Sequence, residues 1–313
     1  MEGKKGKVGM ATPSPVVIPT PVAATANEFI EQQLDERLCA IENAFGAHAL
    51  SMNCPLLFGV DDILRKAVEK RHQHGPARDK LIVVLTTSGG YIETVQRIVD
   101  TVRRFYPLVD FVVPNYAYSA GTVFVMSGDD IYMDYYSRLG PIDPQFDTPA
   151  GRQVSALGQL EKYNALIEKA QNGTITTAEV QLLIDGFDQA ELYHYEQAKD
   201  LSISLLEEWL VKYKFKNWKE TETRKLPVDD QMKKDRANKI GTELNNTKKW
   251  HSHGYGISME VLQRDLKLLI KDYGKDLDLS AKIRGYHDLL ADYMLRRSSN
   301  GVIHIPTDYR SFI

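Results

Sequence analysis

The sequence predicts an α/β protein with a parallel β-sheet core, followed by a mainly helical C-terminal extension. Three short, strongly apolar runs are typical of strands buried on both faces, at 81–85, 109–113 and 131–133. Segments with helical spacing separate them, at 93–104 and 119–126. Strands that alternate with helices at this pace are joined by crossover connections, which make the strands parallel.

The rest of the chain follows from composition and spacing. Residues 1–26 are rich in proline, alanine and threonine, and we expect a disordered tail there. Two helical patterns precede the first strand, at 27–47 and 56–68. Beyond residue 150 the sequence is mostly charged and helix-forming. The clearest helices there are 161–170, 177–185 and 188–213, and Ser258 is expected to cap another that runs to about residue 270.

Composition excludes several classes of function. The 313 residues carry a formal net charge of −3, so nothing indicates a nucleic-acid or membrane-surface binder. No apolar run approaches the roughly 18 residues that a membrane span needs, and prolines interrupt the N-terminal segment, which argues against a signal peptide. Only Cys39 and Cys54 are present, which favours a reducing compartment, and we expect a cytoplasmic protein. His72 and His74 lack a partner at ligand spacing, so no metal or cofactor is predicted.

Two loops that follow predicted strands carry residues suited to acyl-transfer chemistry. Gly89 and Gly90 end the first strand, and without side chains their backbone N–H groups can approach a ligand closely. Ser119 lies where a loop becomes a helix, so its own N–H and that of Ala120 are free to donate. Either loop alone is more simply read as a turn or a helix cap. Together, one strand-helix-strand unit apart, they favour a serine nucleophile facing an oxyanion-binding turn.

These motifs resemble those of a known family. TSGGYI at 87–92 is similar to the oxyanion turn of Clp proteases, and AYSAGT at 117–122 resembles the nucleophile segment of Clp proteases and signal peptide peptidase A. LGPIDPQ at 139–145 and SHGYGI at 252–257 are similar to the serine dehydrogenase proteinase family, distant relatives of Clp proteases. The resemblance implies a Clp/crotonase-like core over 27–150 and a helical extension over 151–313 that carries the Ser-His-Gly turn.

The resemblance also implies a serine peptidase with a Ser-Asp-His triad. Ser119 would attack the carbonyl, His253 would accept its proton, and Asp143 would orient the imidazole. Clp proteases place their histidine about 25 residues after the serine, but this sequence has no histidine between Ser119 and His194. The base must therefore come from farther along the chain, and triads tolerate different chain orders. The neighbouring His251 is a second candidate for the base.

The oxyanion hole would be formed by N–H groups at Gly89, Gly90 and Ala120, and a side chain at Gly90 is expected to intrude on the anion site. Asp143 and His253 could also be non-catalytic turn residues whose side chains satisfy backbone groups.

By the same resemblance we expect a peptide or protein substrate and a homo-oligomeric, trimer-based ring. Whether an ATPase partner supplies the substrate is left open.

Other functions compete with this hypothesis. A Ser-Lys dyad like that of signal peptide peptidases would use Lys162 or Lys169, which lie 40–50 residues beyond Ser119. The crotonase fold also hosts CoA-thioester enzymes that rely on glutamates, and an inactive Clp-like scaffold is a third alternative. An α/β-hydrolase elbow is disfavoured because Ala117 stands at its first glycine position.

Overall fold

The structure is a computed structural model that describes residues 25–143, 145–147 and 153–312. The predicted tail, 1–26, lies outside the described residues apart from its last two. Of these, Thr25 caps the first helix, and Ala26 begins it. The Thr25 side chain accepts the Glu28 N–H, and the Glu28 carboxylate accepts the Thr25 N–H. This reciprocal capping box defines the start of the helix.

The described elements alternate along the first half of the chain and are mainly helical in the second. The helices are α1 (Ala26–Phe45), α2 (Val60–His74), α3 (Ile92–Phe105), α4 (Ala120–Met126), α5 (Ala156–Gln171), α6 (Thr177–Asp185), α7 (Gln189–Trp209), α8 (Asp230–Leu244), α9 (Thr247–Trp250), α10 (Met259–Asp265) and α11 (Leu277–Arg297). The strands are β1 (His48–Asn53), β2 (Lys80–Thr86), β3 (Leu108–Val112), β4 (Tyr116–Ala117), β5 (Asp130–Met133), β6 (Arg138–Leu139), β7 (Gln145–Asp147), β8 (Gln153–Ser155), β9 (Ile257–Ser258), β10 (Lys271–Asp272), β11 (Gly301–Ile305) and β12 (Asp308–Phe312). A π-helical turn (Leu210–Lys214) extends α7, and a 3₁₀ turn (Tyr273–Lys275) follows β10.

The central sheet has seven strands in the order β10-β5-β3-β2-β1-β11-β12. The first five are mutually parallel, and β11 and β12 add an antiparallel pair at one edge. Alternate residues of β2 face opposite layers: Leu81, Val83 and Leu85 pack with α2, α3 and α4, whereas Ile82 and Val84 pack with α1 and α11. Burial on both faces explains the continuous apolar run and confirms the predicted α/β class with a parallel core.

One core strand, β1, escapes sequence-based prediction because polar residues interrupt its apolar pattern. His48 and Ser51 are nevertheless almost fully buried. The two ring nitrogens of His48 are each 2.7 Å from a partner, the Tyr106 hydroxyl and the Pro76 carbonyl. Because these partners satisfy the ring, burial costs little hydrogen-bonding energy.

The C-terminal half does more than extend the core with helices. Strands β10, β11 and β12 return to the central sheet, and α11 covers one of its faces. The helix predicted from Ser258 to about residue 270 ends earlier, at Asp265, because the chain turns to form β10.

A second, three-stranded sheet in the order β4-β6-β9 organises the candidate site. Strand β6 pairs parallel with β4, through Ala117 and Leu139, and antiparallel with β9, through Leu139 and Ile257. The segments after β4, after β6 and before β9 therefore leave the sheet at the same end. Those segments carry Ser119, Asp143 and His253, so this pairing positions all three predicted triad residues.

Candidate active site

Ser119 occupies a strained turn between strand β4 and helix α4. Its backbone has φ 53° and ψ −120°, a conformation that a residue with a side chain adopts only at an energetic cost. The residue is half-buried, and its carbonyl accepts the N–H groups of Thr122 and Val123. A serine on a strained strand-to-helix turn is the arrangement that presents a nucleophile in several hydrolases.

The glycine turn after β2 packs directly against Ser119. A β-carbon added at Gly89 would lie 2.8 Å from the Tyr118 carbonyl oxygen and 2.9 Å from the Ser119 β-carbon, so only glycine fits there. Hydrogen bonds between Thr87 and the chain on either side of Ala117 hold the two loops together: the Thr87 N–H donates to Tyr116, and the Tyr118 N–H donates to Thr87.

The two glycines differ in what they offer a ligand. The Gly89 N–H donates to Thr87 Oγ1 at 3.1 Å, so this predicted oxyanion donor is already engaged. A β-carbon at Gly90 would lie 2.3 Å from the Leu56 carbonyl oxygen. The expectation that a side chain at Gly90 would intrude on the anion site is therefore wrong, because it would collide with the Leu56 backbone first.

His253 and Asp143 are neighbours although 110 residues of sequence separate them. His253 Nδ1 lies 3.7 Å from Asp143 Oδ2, slightly beyond hydrogen-bond distance. The Leu157 N–H, at the start of α5, donates to the other carboxylate oxygen at 3.2 Å. Asp143 is 3% exposed. His253 Nδ1 is buried and has no hydrogen-bond partner among the described residues, which leaves the Asp143 carboxylate as the group it faces.

The serine is not joined to this pair by a hydrogen bond. Among the described residues, Ser119 and His253 share no such contact. Catalytic hydrogen bonds are often long in unliganded enzymes and tighten when substrate binds. The structure thus brings Asp143 to His253, and Ser119 to Gly89, on segments that leave the small sheet at the same end.

A cavity of about 210 Å³ borders the His253–Asp143 pair. Apolar side chains from α5, α8 and α9 form part of its wall, namely Leu157, Leu244 and Trp250. The Trp250 indole N–H donates to the Glu243 carbonyl at 2.7 Å and so fixes the chain just before the histidine turn. His251 also lines the cavity but is exposed, with φ 59°.

The candidate lysines for a dyad both lie on α5 and are exposed. Lys169 forms an ion pair with Glu179 at 2.5 Å. Leu157 marks the end of α5 that meets the cavity, and at ~1.5 Å per residue Lys169 is about 18 Å farther along the helix axis. Lys162 is about 8 Å along by the same measure. The helix therefore directs Lys169, in particular, away from His253 and Asp143.

Tyr118, Gly140 and Asp134, to which the sequence assigned no catalytic role, make structural contacts next to β4 and β6. Gly140 contacts Tyr118, since a β-carbon at Gly140 would lie 2.8 Å from the Tyr118 ring. Burial raises the pKa of Tyr118, the residue directly before Ser119. Asp134 is 1% exposed and forms an ion pair with Arg284. Burial opposes ionisation of Asp134, but hydrogen bonds from Arg284 and the Tyr136 N–H outweigh it and hold its pKa below the usual range.

Residues 61–182 match the sequence model of the ClpP-like SDH-type serine proteinases. The match contains Gly89, Gly90, Ser119 and Asp143, whereas His253 lies beyond its end. The matched segment, with its fold and motifs, thus resembles the ClpP-like class. Within that class, the match confirms the predicted resemblance to the serine dehydrogenase proteinase family over this segment.

Two uncharacterised proteins of Methanocaldococcus jannaschii are similar to part of the chain. One is 27% identical over 118 residues, 38% of each protein, and the other is 30% identical over 125 residues, 39% of this chain and 41% of the relative. The chain thus spans about two fifths of the length of these relatives.

Solved structures similar to this chain include two proteases. The 1510-N membrane-bound stomatin-specific protease, as a serine-to-alanine variant, has a TM-score of 0.43 and 12% identity over 74% of this chain and 82% of that one. ClpP1 from Listeria monocytogenes has a TM-score of 0.28 and 13% identity over 52% and 90%. Within the described part of this chain, no helix is both long and apolar enough to cross a membrane.

Proposed function

We propose that this protein is a serine peptidase that works through an acyl-enzyme, with Ser119 as the nucleophile. One observation carries the proposal: Ser119 adopts a strained positive φ against Gly89, at the same end of the small sheet as the His253–Asp143 pair. Strained backbone conformations concentrate at functional sites. The family match supports peptide-bond chemistry over the other reactions that use a serine nucleophile.

In the proposed reaction, His253 accepts the Ser119 proton as the oxygen attacks the substrate carbonyl, and then donates it to the departing amine. Asp143 faces Nδ1 of the imidazole, so it would hold the tautomer in which Nε2 accepts the proton. The Leu157 N–H fixes the carboxylate from its other side. Water then attacks the acyl-enzyme with His253 again as base.

The N–H groups of Gly90 and Ala120 are the proposed oxyanion donors. Neither amide has a backbone acceptor within the described residues. Ala120 begins α4, where helical N–H groups lack an intrahelical partner and favour negative charge. Gly89 would contribute by allowing close approach, because its own N–H is held by Thr87.

The substrate proposed is a peptide or protein, and the assembly a trimer-based ring of identical subunits. Both rest on the family resemblance. Cys39 and Cys54 are free thiols in the structure, which suits the reducing, cytoplasmic setting proposed for the protein.

The decisive experiment combines fluorophosphonate labelling with peptide hydrolysis across six single variants. Ser119→Ala should abolish labelling, and Ser119→Ala and His253→Ala should each lower kcat by about 10⁴-fold or more, because triad residues act as a unit. Asp143→Asn should lower kcat by about 10⁴-fold, because the histidine would then adopt the wrong tautomer. His251→Ala is the matched control beside the proposed base, and Lys162→Ala and Lys169→Ala are the controls for the dyad. All three controls should stay close to wild type.

The same experiment separates the alternatives. If Lys162→Ala or Lys169→Ala is inactive while His253→Ala retains activity, the base is a lysine and the triad is wrong. If the folded wild-type protein is not labelled at all and hydrolyses no peptide or ester, the Clp-like core serves as a scaffold. Labelling that persists in Ser119→Ala would refute the nucleophile.

A further inference from the structure

Thr122 is a fully buried residue of α4 whose hydroxyl lies where the nucleophile segment meets the acid-bearing segment. Its Oγ1 is 2.8 Å from the Ala117 carbonyl oxygen and 2.9 Å from the Gly140 carbonyl oxygen. It also accepts the Gly140 N–H at 3.0 Å. A hydroxyl has one proton and two lone pairs, so Thr122 can donate to either carbonyl while accepting from Gly140.

Thr122 forms hydrogen bonds to the backbone at Ser119 and just before it. The Thr122 N–H donates to the Ser119 carbonyl at 2.9 Å, and the hydroxyl reaches Ala117, two residues before Ser119. Thr122 therefore restrains the backbone on both sides of the strained φ angle of Ser119. A strained conformation persists only when surrounding contacts over-determine it, and Thr122 supplies two of those contacts.

The other contacts of the hydroxyl extend the same restraint to Asp143. Gly140 follows β6 directly and lies three residues before Asp143. Its N–H also donates to the Ala117 carbonyl at 3.2 Å, just beyond the paired residues Ala117 and Leu139. Thr122 thus continues the pairing of β4 and β6 past the end of the strands, toward the acid.

We infer that Thr122 is a positioning residue that holds the Ser119 turn and the Asp143 segment at a fixed separation. The inference rests on the proposed function, since it assigns Ser119 and Asp143 their catalytic parts. Thr122 does not itself take part in the chemistry. Its hydroxyl is satisfied by the backbone groups of Ala117 and Gly140. These two residues lie in the segments that contain Ser119 and Asp143, which explains why a threonine occupies this position of the AYSAGT motif.

The test compares Thr122→Val, which removes the hydroxyl from a side chain of the same shape, with Thr122→Ser, which keeps it. Ser127→Ala is the matched control: Ser127 is also buried, caps the other end of α4, and donates to the Phe124 carbonyl at 2.7 Å. For each variant, kcat, KM, the fluorophosphonate labelling rate and the hydrogen exchange of segments 117–122 and 139–143 are measured.

Thr122→Val should lower kcat and the labelling rate by about 10² because a misplacement of ~1 Å costs about that much, with KM changed less than about threefold. Thr122→Ser should restore both rates, and Ser127→Ala should leave them near wild type. Exchange should rise in both segments in Thr122→Val alone. Should that variant fail to fold, Thr122→Cys, with a weaker donor, should give intermediate losses.

Equal losses in Thr122→Val and Ser127→Ala, or unchanged exchange in segment 139–143, would overturn the inference. If the wild-type protein is not labelled, the proposed function fails. The exchange measurements still decide whether Thr122 holds the two segments, so the two failures are distinguishable.

Discussion

Replacing Gly89 by alanine tests the packing of the glycine turn against the nucleophile. The new β-carbon would lie 2.8 Å from the Tyr118 carbonyl oxygen and 2.9 Å from the Ser119 β-carbon, where ordinary contacts begin at 3.4 Å. It would also sit at φ +102°, which disfavours any side chain. The contacting atoms belong to backbone and to a β-carbon, so they cannot move aside as a flexible side chain would.

The expected effects follow from those distances. Relieving the clash with Ser119 requires a shift of about 0.5 Å, from 2.9 to 3.4 Å. If ~1 Å of misplacement costs about 10², this shift predicts a fall in kcat and in labelling rate of about 10-fold. Backbone strain of about 1–3 kcal/mol and overpacking of about 1–3 kcal/mol lower the free energy of unfolding by about 2–6 kcal/mol. Because the free energy of unfolding of a domain is usually about 5–15 kcal/mol, we expect the variant to remain folded at room temperature.

The assay measures the fluorophosphonate labelling rate and the thermal midpoint of folded Gly89→Ala protein. Gly173→Ala is the matched control, because Gly173 also has positive φ, +65°, but has nothing within 4 Å of an added β-carbon. It should lose some stability and no activity. Gly90→Ala should mainly disrupt folding, since its β-carbon meets the Leu56 backbone. A folded Gly89→Ala protein with wild-type labelling would refute the role assigned to this contact.

Two further predictions concern pH and assembly. Burial lowers the pKa of His48 and His287 in the folded protein, so on acidification the unfolded chain takes up protons that the folded one does not. Stability should therefore fall as the pH drops below the ordinary histidine pKa of about 6.5. His287→Leu should flatten the dependence of the thermal midpoint on pH between about 7.5 and 5.5. An unchanged slope in this variant would contradict the explanation. Light scattering after size-exclusion chromatography should give a trimer or a multiple of it, and a stable monomer at micromolar concentration would contradict the proposed ring.

The sequence predicts some details of the site and misleads on others. Asp143 and His253 come from the family resemblance, and their 3.7 Å separation was not predictable from spacing, because β9 brings the histidine turn back from the C-terminal half. The sequence identifies the glycine turn, but it does not show in which direction a β-carbon added at Gly89 or Gly90 would point. Nothing in the sequence distinguishes Thr122, because a buried threonine on an apolar helix gives no signal until its backbone partners are known.

By itself, the sequence determined the class of fold and the motifs. An apolar run such as 81–85 is typical of a strand buried on both faces of a sheet, and a serine at a helix start opposite a glycine turn suits acyl-transfer chemistry. Only the tertiary structure decided which histidine meets the acid, that Gly89 rather than Gly90 faces Ser119, and that Thr122 joins the segments. The physical reason is that periodicity and motifs report the local backbone, whereas these contacts depend on how the glycine turn, β4, β6 and β9 come together. Of these, β6 and β9 pair across more than a hundred residues of sequence.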